Sequence, residues 1–436
     1  MRCPSSYFSI LKFHIPNSTP CGMIISMNVT ETFLFQDFYN QVLAPFFVIF
    51  PYLIPIVLVI MFWDVWLKYV RARYRASINW VLLEIKVPKE IHKTPLAMEI
   101  VLNAMYQTGG TTTWIDRYWK GKLREDFSLE MVSIDGHIKF FIRVSSFFKN
   151  IIEAQLYAQY PDIEVYEVPD YTRYVNYRGK EGSWSMVGTG YKLVKEDPYP
   201  IKTYVDFGMD KEGVKEEFKI DPLTSVIEYL GSIGQGEQIW IQIMIRAATK
   251  RYRKKDGTKG DWKDEGKGII DKLTKRNEKT EEGTPVFKMM MMTKGELETI
   301  AAIERSMSKL GFDCGIRALY LAKNEKFDPS NIKALGGLLR AFTSQSLNSF
   351  TVCHQTFGFD YPWQDYNKIR ITKKRREQFE AYKHRGWFYG DHTEKPFVLT
   401  SEELATIYHF PGGVAQTPTF GRIPSHKSEA PVNLPI

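Results

Sequence analysis

FSLEMVSIDGHIKFFIRV, residues 127–144, reads as two strands around a two-residue turn. Apolar side chains dominate both arms, Phe127–Ile134 and His137–Val144, and the Asp135-Gly136 pair between them accepts the positive φ that a hairpin turn needs. Outward on the N-terminal side, Trp80–Val87 (WVLLEIKV) is strand-like. Thr94-Pro95 then opens an amphipathic helix through Gln107 with Met98, Val101, Leu102 and Met105 on one face, and Gly109-Gly110 ends it. On the C-terminal side a second helix, Phe147–Tyr160, stops before Pro161, and Ile163–Val168 (IEVYEV) forms a last strand. The order βαββαβ predicts a ferredoxin-like α+β domain over residues 78–170. Such a domain has two layers, an antiparallel sheet with its helices on one face.

Residues 185–322 repeat the plan with wider spacing. Strand candidates at Tyr191–Val194 and Lys202–Phe207 precede a helix that starts at Asp221-Pro222 and ends near Gly231. Gln238–Ile245 (QIWIQIMI) follows as a buried strand, Lys294–Leu310 as a helix and Cys314–Leu321 as a strand. A charged insertion, residues 250–282, interrupts this second ferredoxin-like domain. It reads as a solvated loop with a helical patch near Ile269–Leu273. Tyr252 and Trp262 lie among its cations, a pattern that permits nucleic-acid contact without demanding it, because acidic residues are mixed in. Met289–Met292 marks a buried or partner-facing strand.

Ahead of these domains, Val42–Trp63 carries no charge, and Asp64, Lys68, Arg71, Arg73 and Arg75 follow directly. A helix of that length rises roughly 33 Å, enough for a hydrocarbon core of about 30 Å. Residues 42–76 are therefore expected to be a single transmembrane helix with its basic flank, Trp63, Trp66 and Tyr69 forming the interfacial belt. Glu31 and Asp37 precede the run and the cations follow it, so the positive-inside rule predicts a single-pass protein of the cytoplasmic membrane, N-terminus outside and the bulk of the chain in the cytoplasm. A buried helix of a soluble domain is the alternative, opposed by Pro45, Pro51 and Pro55. Residues 1–41 are expected to be poorly structured, Met1–Cys21 having no periodic apolar pattern, and Met23 and Met27 offer later starts than Met1.

The chain has 436 residues, 44% hydrophobic and 14% aromatic, which suffices for two packed domains outside the membrane. Cys3, Cys21, Cys314 and Cys353 are scattered singly, so neither a disulfide framework nor a metal knuckle is indicated. The formal charge of +8 is modest for this size. The sequence contains no GxxxxGK[ST], HExxH or GxSxG string, and GSIGQGEQ (231–238) lacks the lysine-hydroxyl pair of a phosphate loop. The expectation is a protein with no catalytic residue, cofactor or metal, His137 being a surface or turn residue. Toward the C-terminus, residues 323–395 read as helical to irregular. There Lys373, Lys374, Arg375 and Arg376 sit in a helical stretch, Ile371–Lys383, ahead of Trp387, Phe388 and Tyr389. That cluster is a candidate DNA or anionic-lipid contact, with a solvated helix face as its plain alternative. Residues 396–436 are expected to form an extended connector tail running over a partner.

SIDGHIKFFIRV with FFKNIIEAQLYAQYPDIEVYEV (133–168) and KVPKEIHKTPLAMEIVLNAMY (86–106) resembles the N-terminal, membrane-anchored accessory region of type IV secretion and conjugative DNA-transfer ATPases, related to the HerA-FtsK motors. FVLTSEELATIYHFPGG (397–413) and KSEAPVNLPI (427–436) are similar to the connector that leads into the motor in those proteins. The resemblance implies the mount of an ATPase for DNA or protein transfer, the motor being either a separate chain or part of a longer gene of which this chain is a fragment; a separate partner ATPase and a homo-oligomer are the expectation. The alternatives are a membrane-tethered nucleic-acid-binding protein and a structural scaffold of an envelope machine.

Overall fold

A computed structural model describes residues 44–88, 93–109, 113–210, 220–250, 252–253, 257–274, 292–356, 361, 363–390 and 392–412. The candidate start codons, the Met289–Met291 run and the tail beyond Gly412 lie outside those residues. The chain falls into two compact units, Met1–Trp66 and Leu67–Ile436.

A long helix, α1 (Ala44–Ser77), opens the described chain. From Tyr52 to Ser77 it is long and apolar enough to cross a membrane, and its most apolar window is only 6% buried. The next elements are β1 (Trp80–Lys86), α2 (Pro95–Ala104), a short α3 (Trp114–Tyr118), β2 (Phe127–Ile134), β3 (His137–Ser145), α4 (Lys149–Gln159) and β4 (Glu164–Val168). Then come β5 (Trp184–Leu193), α5 (Leu223–Gly231), β6 (Glu237–Ala247), the small hairpin β7 (Tyr252–Arg253) and β8 (Lys259–Gly260), α6 (Trp262–Leu273) and α7 (Lys294–Ser308). The chain continues through β9 (Gly311–Lys323), α8 (Ser330–Gly337), β10 (Phe350–Cys353), α9 (Ile369–Lys383), β11 (Phe397–Thr400) and α10 (Ser401–Ile407).

Nine of the strands make one antiparallel sheet in a mixed α+β fold, ordered β10-β5-β9-β6-β2-β3-β1-β4, with β11 also on β9. Its two halves have mirrored orders about the β2–β6 pairing, in which Glu130 faces Gln242 and Met131 faces Ile241. Two separate sheets were the expectation. They fuse because β2 and β6 are buried along nearly their whole length on both faces, and an edge strand of that kind leaves its backbone groups open to pairing. The hairpin turn is as read, with Asp135 and Gly136 both at positive φ, 54° and 84°. β11 takes up the stretch of β9, Gly311–Cys314, that β5 leaves uncovered.

Side chains alternate between two cores. On one face Leu83, Leu129, Ile142, Ile241, Ile243 and Ile316 pack under α2, α4, α5, α8 and α10. On the other, Leu82, Val132, Phe141, Trp240 and Leu319 meet Phe379 and Tyr382 of α9. Helices on a single face were the expectation, and α9 overturns it. The sheet is too apolar on its second face to be left wet, so a third layer covers it.

Two further readings are corrected. Lys202–Phe207 is no strand: residues 204–210 are turns, begun where the Asp206 carboxylate accepts from Thr203 N at 3.0 Å. Phe397–Phe410, read as the start of an extended connector, is fully core. Thr400 caps α10 in a reciprocal box with Glu403, and the helix packs on α2.

Glu403 also receives Ile201 N at 2.9 Å, yet burial outweighs these bonds and pushes its carboxyl up to about 7 from the ordinary 4.5. A raised folded-state value means stability that is full below about pH 4.5 and is lost as pH rises through about 7. Between about pH 5 and about pH 8 that loss is at most about 3 kcal/mol. Urea unfolding of the detergent-solubilised chain at the two pH values should show it. Glu403→Gln should flatten the slope, and an unchanged slope in the variant would assign it elsewhere.

Candidate functional site

One row of paired residues crosses the second face of the sheet: Cys353, Gly190, Arg317, Gln242, Glu130 and Phe141, each opposite the next. Period-two geometry puts all of them on the same face. Three polar side chains in the middle of that row, Arg317, Gln242 and Glu130, are buried to 2% exposure or less. Buried charge of this kind persists only where partners converge on it.

They converge from the segment that follows α9. Arg385, 1% exposed, donates through Nε to Glu130 Oε1 at 3.0 Å and through Nη2 to Oε2 at 3.2 Å. Its guanidinium also binds Asp170, with Nη2 to Oδ1 at 3.1 Å and a second bond from Nη1. Glu130 further accepts from Ser128 Oγ at 2.6 Å, Tyr171 OH at 2.7 Å and Gln242 Nε2 at 3.0 Å. Burial alone would raise Glu130, but Arg385 and these donors hold its carboxyl below the usual range, and Glu130 in turn drives Arg385 well upward. Tyr171 and Tyr382 share a hydroxyl bond at 2.7 Å and close the network.

A second anchorage lies beside it. Arg317 Nη2 donates to Gly386 O, and its guanidinium stands 4.8 Å from the Trp387 ring centroid. Burial lowers Arg317 to about 10. The Trp387 indole lies so close over β9 that a Cβ on Gly315 would fall 2.0 Å from the ring, so only glycine fits beneath it. Residues 369–390 thus form a strap clasped to the sheet by one ionic pin and one stacked indole. Arg385 itself sits at φ 48°, a left-handed backbone that a long side chain seldom adopts.

Arg75, near the end of α1, enters the same network: its Nη2 donates to Arg385 O at 3.1 Å and stands 3.4 Å from Asp126 Oδ2. Of the other residues expected on the anchor flank, Trp63, Lys68 and Arg73 are exposed while Trp66 and Arg71 are half-buried. Arg75 ties into the sheet network. The four cations of the basic run on α9 differ in their surroundings. Lys373, Lys374 and Arg376 are exposed, Lys373 stands 3.9 Å from Glu377, and Arg375 Nε donates to Thr356 O at 3.3 Å. Trp387 and Phe388 are buried against Met244 and so give no open aromatic surface beside those cations. Trp262 is likewise core, packed on Ala248 and Val398.

A cleft of about 590 Å³ opens near the β10 end of the row, lined by Lys192, Glu265, Cys353, His354, Trp387 and Glu394. Burial, with Glu394 nearby, pushes the Cys353 thiol up to about 11, so it stays protonated at neutral pH and is a poor nucleophile. His354 Nδ1 stands 3.2 Å from Glu394. Among the described residues no group of three or more histidine, cysteine or acidic side chains is placed to hold a metal. Neither Arg385 nor Glu130 is marked by any sequence motif. The one signal was an acidic residue at the centre of an apolar strand, FSLEMVSI.

A single antiparallel sheet between helical layers, with a C-terminal strap pinned ionically across it, defines a mixed α+β protein with an apolar helix ahead of its sheet domain. The chain belongs to the family described as Domain of unknown function (DUF8128), whose profile matches residues 73–421. No curated protein matches it.

Proposed function

We propose that this chain is a single-pass membrane mount: α1 anchors it, and the sheet domain docks a separate translocation ATPase of the type IV secretion kind on the cytoplasmic side. The observation that carries the reading is the contact of Arg75 with Arg385. It joins the segment leaving the apolar helix to the strap, and Arg385 passes that connection on to Glu130 in the central strand. Load applied at either flank of the domain would be borne by buried, charge-assisted bonds in its middle rather than by a loop. Exposure of the apolar window of α1 supports the anchor, since the core helix of a soluble protein would bury it. Each half of the sheet has the order fourth-first-third-second, with a helix between its first and second strands and another between its third and fourth, which supports reading both as ferredoxin-like units joined edge to edge.

The reading also includes homo-oligomerisation and an N-out, C-in orientation. Membranes washed with alkaline carbonate should retain the protein. Protease added outside intact cells should leave residues 67–412 uncut. Release by carbonate, or cleavage of the sheet domain from outside, would remove the mount. A nucleic-acid tether is less favoured, because Arg375 and Trp262 are committed to internal contacts.

A further inference from the structure

A basic and aromatic spur stands out between α2 and β2. Trp114–Tyr118 makes one helical turn, capped where Thr113 Oγ1 accepts from Asp116 N at 3.2 Å. Trp114 and Trp119 are each 67% exposed and Ile115 57%, a concentration of apolar surface that a soluble face would not keep in water without use. Cations are interleaved with them. Arg117 is exposed, and Lys120 and Lys122 keep 61% and 41% of their side chains open while standing 3.4 and 3.5 Å from Asp116. Three cations against one carboxylate leave the spur net positive.

The spur is fixed to the basic flank of α1. Gly121 has φ +65°, and a Cβ there would come within 2.7 Å of the Val70 carbonyl, so the two backbones touch. Lys68 and Arg73, both exposed, lie on the α1 segment that bears Val70. Along the chain Val70 is close to Trp63, and even a fully extended connection of that length spans only about 25 Å. A membrane that holds the apolar run of α1 is therefore within reach of the spur.

We infer that the spur is a lipid contact: Trp114, Ile115 and Trp119 enter the headgroup boundary of the bilayer while Arg117, Lys120 and Lys122 meet anionic lipid phosphates. Indoles suit that boundary because the ring is apolar and its N–H still finds an acceptor there. Basic side chains on the same turn match the negative cytoplasmic leaflet. The contact would fix the sheet domain in one pose on the membrane instead of letting it swing on α1. This inference rests on the membrane reading above, and its test separates the two.

The full chain, with Cys3, Cys21 and Cys353 replaced by serine and the buried Cys314 kept, carries an environment-sensitive fluorophore on Ile115→Cys. It is reconstituted into vesicles of phosphatidylcholine and phosphatidylglycerol. The expected result is a blue-shifted emission, quenched severalfold more by lipids spin-labelled near the headgroup than by the same label on a Tyr174→Cys chain, Tyr174 being 76% exposed elsewhere. Charge reversal by Arg117→Glu with Lys120→Glu, or vesicles of phosphatidylcholine alone, should cut the quenching by at least half. Equal quenching at both positions, or none at position 115 in a chain that resists carbonate, overturns the lipid contact and leaves the anchor standing. The second outcome would assign the spur to a protein partner. A chain that carbonate strips from the vesicles overturns the anchor and the inference together.

Discussion

Arg385→Ala is expected to destabilise the protein by about 3–5 kcal/mol, as removal of one partner from a buried ion pair does. Glu130 is 0% exposed and would be left with hydroxyl and amide donors alone. Burial, no longer opposed by the guanidinium, would then raise its carboxyl. The sign follows from that change. In the variant, stability should fall further as pH rises from about 5 to about 8, because an ionised Glu130 has lost its counter-charge. Adding Glu130→Gln should recover part of the loss and remove the extra pH dependence. Urea unfolding in detergent measures both, and limited proteolysis should find new cleavage between Arg385 and Glu394. A cost under about 1 kcal/mol, with the strap still protected, would show that the pin contributes little beyond surface-pair strength.

Trp240→Ala should cost a similar amount, about 3–5 kcal/mol, for a different reason. The indole is fully buried and is the meeting point of the sheet and α9, with ring centroids 5.2 Å from Tyr171, 5.3 Å from Tyr382 and 6.1 Å from Phe379. Its removal leaves a cavity under α9 and frees the Tyr171–Tyr382 bond that also serves Arg385. The two substitutions therefore share a network and should not add. Amide hydrogen exchange should locate the effect: faster exchange in α9, with α4 on the opposite face unchanged. A uniform loss of protection over both faces would mean that the strap is not a separate cooperative unit.

What the sequence disclosed is what local pattern encodes. The Asp135-Gly136 turn, the arms around it, and helices at Pro95–Ala104 and Lys149–Gln159 follow from periodicity and turn chemistry within a few residues of one another. Pairing of β2 with β6 is not of that kind. Nothing in FSLEMVSI or EQIWIQIMIRA names the other strand, and only the scarcity of charge along each hinted that neither could be an edge. β10 escaped notice because four half-buried residues make no period. The strap was misread for a related reason. Trp387 and Phe388 follow a basic helix and look like a surface cluster, but glycines on β5 and β9 clear room for what lies over them, Gly315 for the indole itself. Arg385 and Glu130 lie far apart in sequence, and no spacing rule joins a lone arginine to a lone glutamate.

Docking of a separate ATPase by the sheet domain, as proposed, is open to direct test by affinity purification of the tagged chain from native membranes, with its partners identified by mass spectrometry. A phosphate-loop ATPase should be recovered in comparable amount to the bait, and in reduced amount when Arg385→Ala loosens the strap. Recovery of the intact, membrane-held chain with no such ATPase would contradict the proposed docking.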